Sequence, residues 1–267
     1  MFFFLQKEIN RPISEIEIFI VRDLLEHNRT LHEYLYYTVE DFSDDVIWPS
    51  KLRIKEAVPV GSIDYVGAYL KSIHGIENMN PIEIPKCLRT KDFLKREYAI
   101  VKKNDIPEHG VYFIKDVSQL KNFTYGGELG NLFWDRIWNK EDMTSELHLD
   151  SDHLFQLSEY IEILSEYRIY FISGELQAVS HYNGNPWILP DMNLIKKANL
   201  IYSMQKDYPK SYTMDVAVTK NGTCLLEIHP FACVGLYNSL WGSNLLYAYR
   251  DGIDYYLFHN TKLRADQ

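Results

Sequence analysis

Long apolar runs, cysteine and positive charge are all in short supply in this chain of 267 residues, and each shortage removes a class of function. No stretch approaches the length needed to cross a bilayer. The apolar start Met1-Phe-Phe-Phe-Leu5 meets Gln-Lys-Glu at once, which is too short for the core of a secretory signal. A soluble, cytoplasmic protein with no membrane partner is therefore expected. Cys87, Cys224 and Cys233 are an odd set without C-x-x-C spacing, so neither a disulfide framework nor a thiolate zinc site is indicated. The formal charge of −9 argues against nucleic acid as a partner, because contacts to its phosphates require a basic face. Any phosphate bound here must meet a local cluster of lysine or arginine. Two sequence signatures are missing as well: the G-x-S-x-G elbow of serine hydrolases and the G-x-x-x-x-G-K-[ST] phosphate-binding loop.

What remains is ordinary globular composition, 46% hydrophobic and 24% charged, enough to bury a sizeable core. Phe2-Phe-Phe-Leu5 reads as a short buried strand, and residues 16–37 carry the mixed three and four spacing of an amphipathic helix. Val46–Trp48 and Ala57–Val60 are further candidate strands. Gly61-Ser62 then opens a helix with Ser62 as its N-cap, a stripe of Ile63, Val66, Tyr69, Leu70 and Ile73, and Gly75 to close it. Residues 1–80 thus form an α/β unit, and Asn80-Pro-Ile-Glu-Ile-Pro85, held extended by its prolines, marks its boundary with residues 81–267.

Beyond that boundary Val111-Tyr-Phe-Ile-Lys115 is a strand ending in a lysine, Lys121 follows, and Phe123-Thr-Tyr-Gly126-Gly127-Glu-Leu-Gly130 reads as a glycine-rich turn. Residues 131–153 form a polar, acidic connection. Within it Glu146-Leu-His148-Leu-Asp150-Ser-Asp152-His153 has a metal site's composition but lacks the spacing of a zinc helix and the turn glycine of a calcium loop, so it reads as polar surface. Residues 155–163 are a strand entering a connector, Ser165–Ile172 a strand that turns at Ser173-Gly174 into another, residues 191–204 a helix, and residues 240–258 a last helix.

The densest stretch is Asp215-Val-Ala-Val-Thr-Lys-Asn-Gly-Thr-Cys-Leu-Leu-Glu227-Ile-His229, in which alternating apolar residues flank Asn221-Gly222 as in a tight β-hairpin. Asp215 and Glu227 should face each other, and Glu227 and His229, two apart on a strand, share a face. Two carboxylates and one nitrogen suit a hard cation such as Mg²⁺, held jointly with substrate phosphates, better than a closed zinc site. Lysines beside glycines suit phosphate, the former as point charges and the latter by letting backbone amides approach. Each motif alone also has a plainer reading: Lys115 and Lys121 as a solvated strand edge, Gly126-Gly127 as a simple hairpin turn, and Glu166 with Arg168 as a surface ion pair.

The order of these motifs resembles the ATP-grasp superfamily, and within it the phage- and bacterium-associated branch characterised by one arginine and two lysines. The matching residues are Phe113-Ile-Lys115 with Lys121, Leu157-Ser-Glu-Tyr-Ile161, Ser165-Glu-Tyr-Arg168-Ile-Tyr-Phe, and Asp215 with Leu226-Glu227-Ile-His229; Val58-Pro-Val-Gly-Ser-Ile-Asp-Tyr-Val66 is similar to the family's pre-grasp segment. The resemblance implies an α+β ATP-grasp fold in which a pre-ATP-grasp domain, residues 1–80, precedes two α+β subdomains, about 81–162 and 163–267, that clamp the nucleotide. It implies that Glu159-Tyr160-Ile161 bonds adenine through its backbone, Glu166 the ribose, Lys115, Lys121, Gly126 and Gly127 the phosphates, and that Arg168 acts on charge developing during transfer. Asp215, Glu227 and His229 would carry Mg²⁺, with Mn²⁺ as an alternative.

The activity implied is ATP-dependent ligation of a carboxylate to an amine or thiol through an acyl-phosphate, the acceptor being an amino acid, peptide or protein. His229 departs from the pattern, since the family usually ends this strand in Glu-x-Asn, and imidazole prefers softer ions than Mg²⁺. That departure keeps open a second expectation, a nucleotide-binding regulatory protein with a degenerate site.

Overall fold

Three sheets position the candidate site in the computed structural model, which describes residues 1–7, 16–27, 32–42, 54–77, 79, 82–117, 124–129, 152–237 and 242–265. The first is parallel, of order β2-β1-β3, built from β1 (Phe2–Gln6), β2 (Glu33–Tyr37) and β3 (Ala57–Val60). Phe3, Phe4 and Leu5 of the central strand are fully buried, as the middle of a parallel sheet requires. The helix expected over residues 16–37 is shorter: α1 (Ile16–His27) ends early, and Glu33-Tyr-Leu-Tyr-Tyr37 pairs with β1 instead. The reason is a run of aromatics that favour a pleated surface. Helix α2 (Ile63–His74) forms as its caps predict, with the Tyr65 N–H donating to Ser62 Oγ at 3.2 Å and Gly75 at φ 67° donating back to the Lys71 carbonyl at 2.9 Å.

The second sheet is antiparallel, of order β4-β7-β5-β6: β4 (Tyr98–Lys102), β7 (Leu154–Glu159), β5 (Gly110–Asp116) and β6 (Thr124–Leu129). The third, also antiparallel, has order β11-β10-β8-β9: β8 (Ser165–Ile172), β9 (Glu175–Gly184), β10 (Tyr212–Thr219) and β11 (Gly222–Pro230). Helix α3 (Lys91–Leu94) and helix α4 (Met192–Ser203), N-capped by Asp191, cover the third sheet through a core of Phe93, Ile169, Ile195, Tyr202, Tyr212 and Met214. Helix α5 (Asn244–Ala265) runs back to the first sheet, so that Leu246, Tyr249 and Ile253 share one core with Phe4, Val58 and Tyr69. The last helix therefore starts at Asn244 rather than 240 and runs past 258. Among the described residues no helix is long and apolar enough to cross a membrane.

Two turn expectations change. Gly126 and Gly127 lie within β6, opposite Phe113 and Tyr112, and are not the turn itself. In the β10–β11 hairpin Lys220 and Asn221 connect Thr219 to Gly222, and of the Asn-Gly pair only Gly222, at φ 99°, takes a positive φ. Val46–Trp48, Lys121 and most of the 131–153 connection lie outside the described residues. At the end of that connection Asp152 is exposed and bonds Lys102 at 2.7 Å, whereas His153 turns inward to within 3.0 Å of buried Asp116.

Helix α5 is seated so closely that a Cβ on Gly252 would fall 2.2 Å from the backbone of Phe231. Backbone cannot yield as a side chain can. Gly252→Ala is expected to cost about 2–3 kcal/mol of stability, read as a lower urea midpoint at unchanged slope; wild-type stability would show that the helix is not held this tightly.

Candidate active site

The ladder of the third sheet sets Arg168 opposite Asp215, and Asp215 opposite Glu227, so three charged side chains stand in a row across β8, β10 and β11. Arg168 donates to both carboxylate oxygens of Asp215, Nε to Oδ1 at 2.8 Å and Nη2 to Oδ2 at 2.7 Å. That fork geometry gives a charge-assisted pair its strength. Glu227 is similarly engaged on both oxygens: Oε1 accepts from Lys115 Nζ at 2.7 Å, and Oε2 lies 2.8 Å from His229 Nε2. Lys115 comes from β5, so this bond joins the second sheet to the third. The pairs are withdrawn from solvent, with side chains of Arg168 and Asp215 only 13% and 7% exposed. Burial alone would push the Glu227 carboxyl up, but His229 and Lys115 outweigh it and hold it far below the usual carboxylate range.

A hollow of about 720 Å³ opens between the two sheets beside this row. Phe113 and Gly126 line it from the second sheet, the connector after β7 from its end, and Glu166, Tyr182 and Asp215 from the third sheet. The connector's Glu159 and Tyr160 amides bond to the carbonyls of Glu97 and Val111, and Glu159, Tyr160 and Ile161 all line the hollow. Gly126 packs closely on the connector: a Cβ there would come within 3.2 Å of the Tyr160 ring. Gly127, at φ 152°, takes a conformation that side chains rarely adopt.

Glu166 and Arg168 do not pair. Glu166 accepts instead from the Tyr182 hydroxyl at 2.9 Å and from Asn183 Nδ2 at 2.6 Å. Sequence reasoning missed these partners, and it missed Tyr237, which stacks on Tyr182 with ring centroids 5.2 Å apart and lies over the Arg168 guanidinium. It also missed Arg96, a buried guanidinium on the wall of the hollow that donates to the carbonyls of Leu94 and Leu225 at 3.1 and 2.8 Å. In sequence Lys95-Arg96-Glu97 looks like any solvated charge run. No signal there points inward.

Asp215, Glu227 and His229 each present a ligand atom within 4.8 Å of the other two, so the donor set fits one divalent cation. Two carboxylates suit Mg²⁺ and the imidazole shifts the preference toward Mn²⁺. Both carboxylates are already engaged by cations of the protein itself, Arg168 on Asp215 and Lys115 on Glu227, so an ion would compete with them for these oxygens.

Comparison with known proteins agrees with this architecture. A sequence model of the ATP-grasp domain, family 2 of the clade named for one arginine and two lysines, matches residues 93–241. No curated protein sequence matches the chain. Among solved structures, D-alanine–D-alanine ligase from Bacillus anthracis superposes with a TM-score of 0.53 at 13% identity, over 100% of this chain and 99% of that one. The same enzyme complexed with ATP gives 0.50 at 14%, over 100% and 99%. D-cycloserine synthetase DcsG gives 0.51 at 12% identity, over 96% of this chain and 100% of that one. At such identities the likeness establishes the fold, ATP-grasp, and no more.

Because Glu227 is held charged in the folded state against an unfolded value near about 4.3, its contribution to stability is complete above that pH and is lost as pH falls toward the folded value. Wild type should therefore exceed Glu227→Gln in stability near neutrality, and the gap should narrow below about pH 4. Denaturant titrations of both proteins across pH test this; a gap independent of pH would mean the carboxylate is not held ionised.

Proposed function

Since this chain belongs to the ATP-grasp domains, in family 2 of their one-arginine, two-lysine clade, we propose that it is an ATP-dependent ligase joining a carboxylate to an amine or thiol through an acyl-phosphate. The observation that carries this reading is the row Arg168–Asp215–Glu227 with Lys115, which sets cations suited to phosphate against acids suited to a metal ion at the edge of the hollow that Asp215 and Glu227 line. In this reading residues 1–80 are the pre-grasp unit, and about 81–162 and 163–267 are the two halves of the clamp. Adenine lies against the connector Glu159, Tyr160 and Ile161, and the ribose against Glu166, whose orientation Tyr182 and Asn183 fix. Lys115 exchanges Glu227 for a phosphate, with Lys121, Gly126 and Gly127 completing the phosphate cradle.

Asp215, Glu227 and His229 would hold Mg²⁺ or Mn²⁺, which neutralises phosphate charge when bound. Arg168 stabilises the charge that develops on the transferred group, a preorganised electrostatic role that needs no protein nucleophile. The acceptor is an amino acid, a peptide or a protein, and the setting cytoplasmic. Nucleotide binding with no phosphate release against any carboxylate would favour the degenerate, regulatory reading instead.

A ligand that binds only the folded state raises stability by about 2.7 kcal/mol at a hundredfold excess over its Kd. Mg²⁺-ATP is expected to raise the melting temperature accordingly, and Lys115→Ala to lose most of that rise. Arg168→Gln should keep it while lowering kcat far more than it raises KM, as fits an interaction made only in the transition state. An unmoved melting temperature in the wild type, or equal loss of nucleotide affinity in both variants with turnover of the bound fraction unchanged, contradicts the assignment.

A further inference from the structure

Glu227 borders a second hollow, of about 420 Å³, which reaches Ile63 and Met79 of the N-terminal unit. One end of it is polar, made by Lys115, Arg168, Glu227 and His229. The other walls are largely apolar, built by Ile63 in the first turn of α2, Met79, Pro230, Val234 and the Tyr256 ring, with Thr124 and Tyr237 adding hydroxyls. Met79 and Val234 are 5% exposed and Tyr256 3%, and all three belong to the core shared by the first sheet and α5, so these walls are preformed. The segment carrying Val234 is tied down as well. The Leu236 N–H donates to Glu17 Oε1 at 2.9 Å, and the Gly235 carbonyl accepts from the Tyr170 hydroxyl at 2.8 Å.

The two hollows meet at Glu227, and their linings differ in kind. A carboxylate at the polar end of the second would sit beside Lys115 and Arg168, next to the phosphate groups that the ligase reading seats in the first. The group bearing that carboxylate must then fill the space between Ile63, Met79, Val234 and Tyr256. Aliphatic and aromatic groups gain from leaving water there, whereas a second charge would lose its hydration against side chains that cannot replace it. We propose, building on the ligase reading, that the second hollow takes the carboxylate substrate and selects one borne on an aliphatic or aromatic group, with Ile63 and Met79 of the N-terminal unit as specificity residues.

The step can be followed without knowing the natural nucleophile. A carboxylate oxygen attacks the γ-phosphorus of ATP, the bond from that phosphorus to the bridging oxygen breaks, and ADP leaves with the electron pair. Hydroxylamine nitrogen then attacks the acyl carbon, the bond to phosphate oxygen breaks, phosphate departs, and the nitrogen gives up a proton to solvent, leaving a hydroxamate. The intact protein with Mg²⁺, ATP and hydroxylamine is offered hexanoate and 3-phenylpropanoate beside glutarate and 5-aminopentanoate, which match hexanoate in chain length but carry a second charge.

Hydroxamate formation is expected to favour the first two by at least about tenfold in kcat/KM, the scale on which an apolar pocket discriminates. Ile63→Ala should raise KM for hexanoate by about tenfold and leave the ATP-induced melting shift unmoved. Ile63→Val should do the same to a smaller degree, and it carries the test if the alanine variant does not fold. Equal or preferred use of the charged acids, or wild-type KM in a folded Ile63 variant, overturns the proposal. Hydroxamate from none of the four, while Mg²⁺-ATP still raises the melting temperature, overturns the ligase reading and this inference with it.

Discussion

The bond from Lys115 to Glu227 joins two sheets that otherwise stand on opposite sides of the larger hollow, and the rest of the site is arranged around it. Charges withdrawn from water this far must be compensated, and removing one partner leaves the other stranded. The compensation here is complete and internal. Arg168 takes both oxygens of Asp215, and Lys115 and His229 take one oxygen each of Glu227. In the ligase reading the acids assigned to metal thus lie under the cations assigned to phosphate, and a nucleotide with its ion would enter by exchange: phosphate would replace carboxylate on the lysine, and the ion would replace the lysine on the carboxylate. Such an exchange keeps every charge paired, which neither ligand achieves alone.

Aromatic rings connect this row to the part of the hollow assigned to the ribose. Arg168 lies under Tyr237 at 5.2 Å and near Tyr182 at 5.9 Å, and the Tyr182 hydroxyl donates to Glu166. Tyr237 adopts φ 45°, a conformation that costs a non-glycine residue energy and is kept only where surroundings demand it. Its ring is thereby held against Tyr182 at an interplanar angle of 12°. Displacing the guanidinium from Asp215 would disturb the stack that also orients Glu166, so the two ends of the nucleotide assigned to this hollow are linked through the protein.

How far the sequence could be read follows from where the signals were local. The β10–β11 hairpin was legible because alternation and a turn glycine mark it, and with it the shared face of Glu227 and His229; Asp215 meets Glu227 through a register shift between Asp215 and Val216, without which it would face Leu226. The caps of α2 were legible for the same reason. Residues 33–37 were not, because an aromatic run satisfies helical and strand spacing alike until a neighbouring strand decides. The partners of Glu166 were hidden by irregularity. A regular ladder continued from Ile172 opposite Glu175 would bring His181 to Glu166, but shifts at two places bring Asn183 there instead. Arg96 was hidden by distance: its carbonyl partner Leu225 lies on β11, across the fold. The ion pairs themselves were also unforeseen, since the residue types suggested ligands for phosphate and metal but not that they would bind one another.

The central claim, that nucleotide and metal enter by exchanging partners within one charge network, is tested most directly by titrating Mn²⁺ with and without a non-hydrolysable ATP analogue. Electron paramagnetic resonance reads the free ion once its binding to free nucleotide is allowed for. Coupling between two sites is reciprocal and is commonly worth about 5- to 150-fold in affinity. The account requires Mn²⁺ to bind wild type weakly alone and at least about tenfold more tightly with the analogue, and Lys115→Gln to strengthen binding of the ion alone by releasing Glu227. Equal Mn²⁺ affinity with and without nucleotide, unchanged in Lys115→Gln, would contradict it.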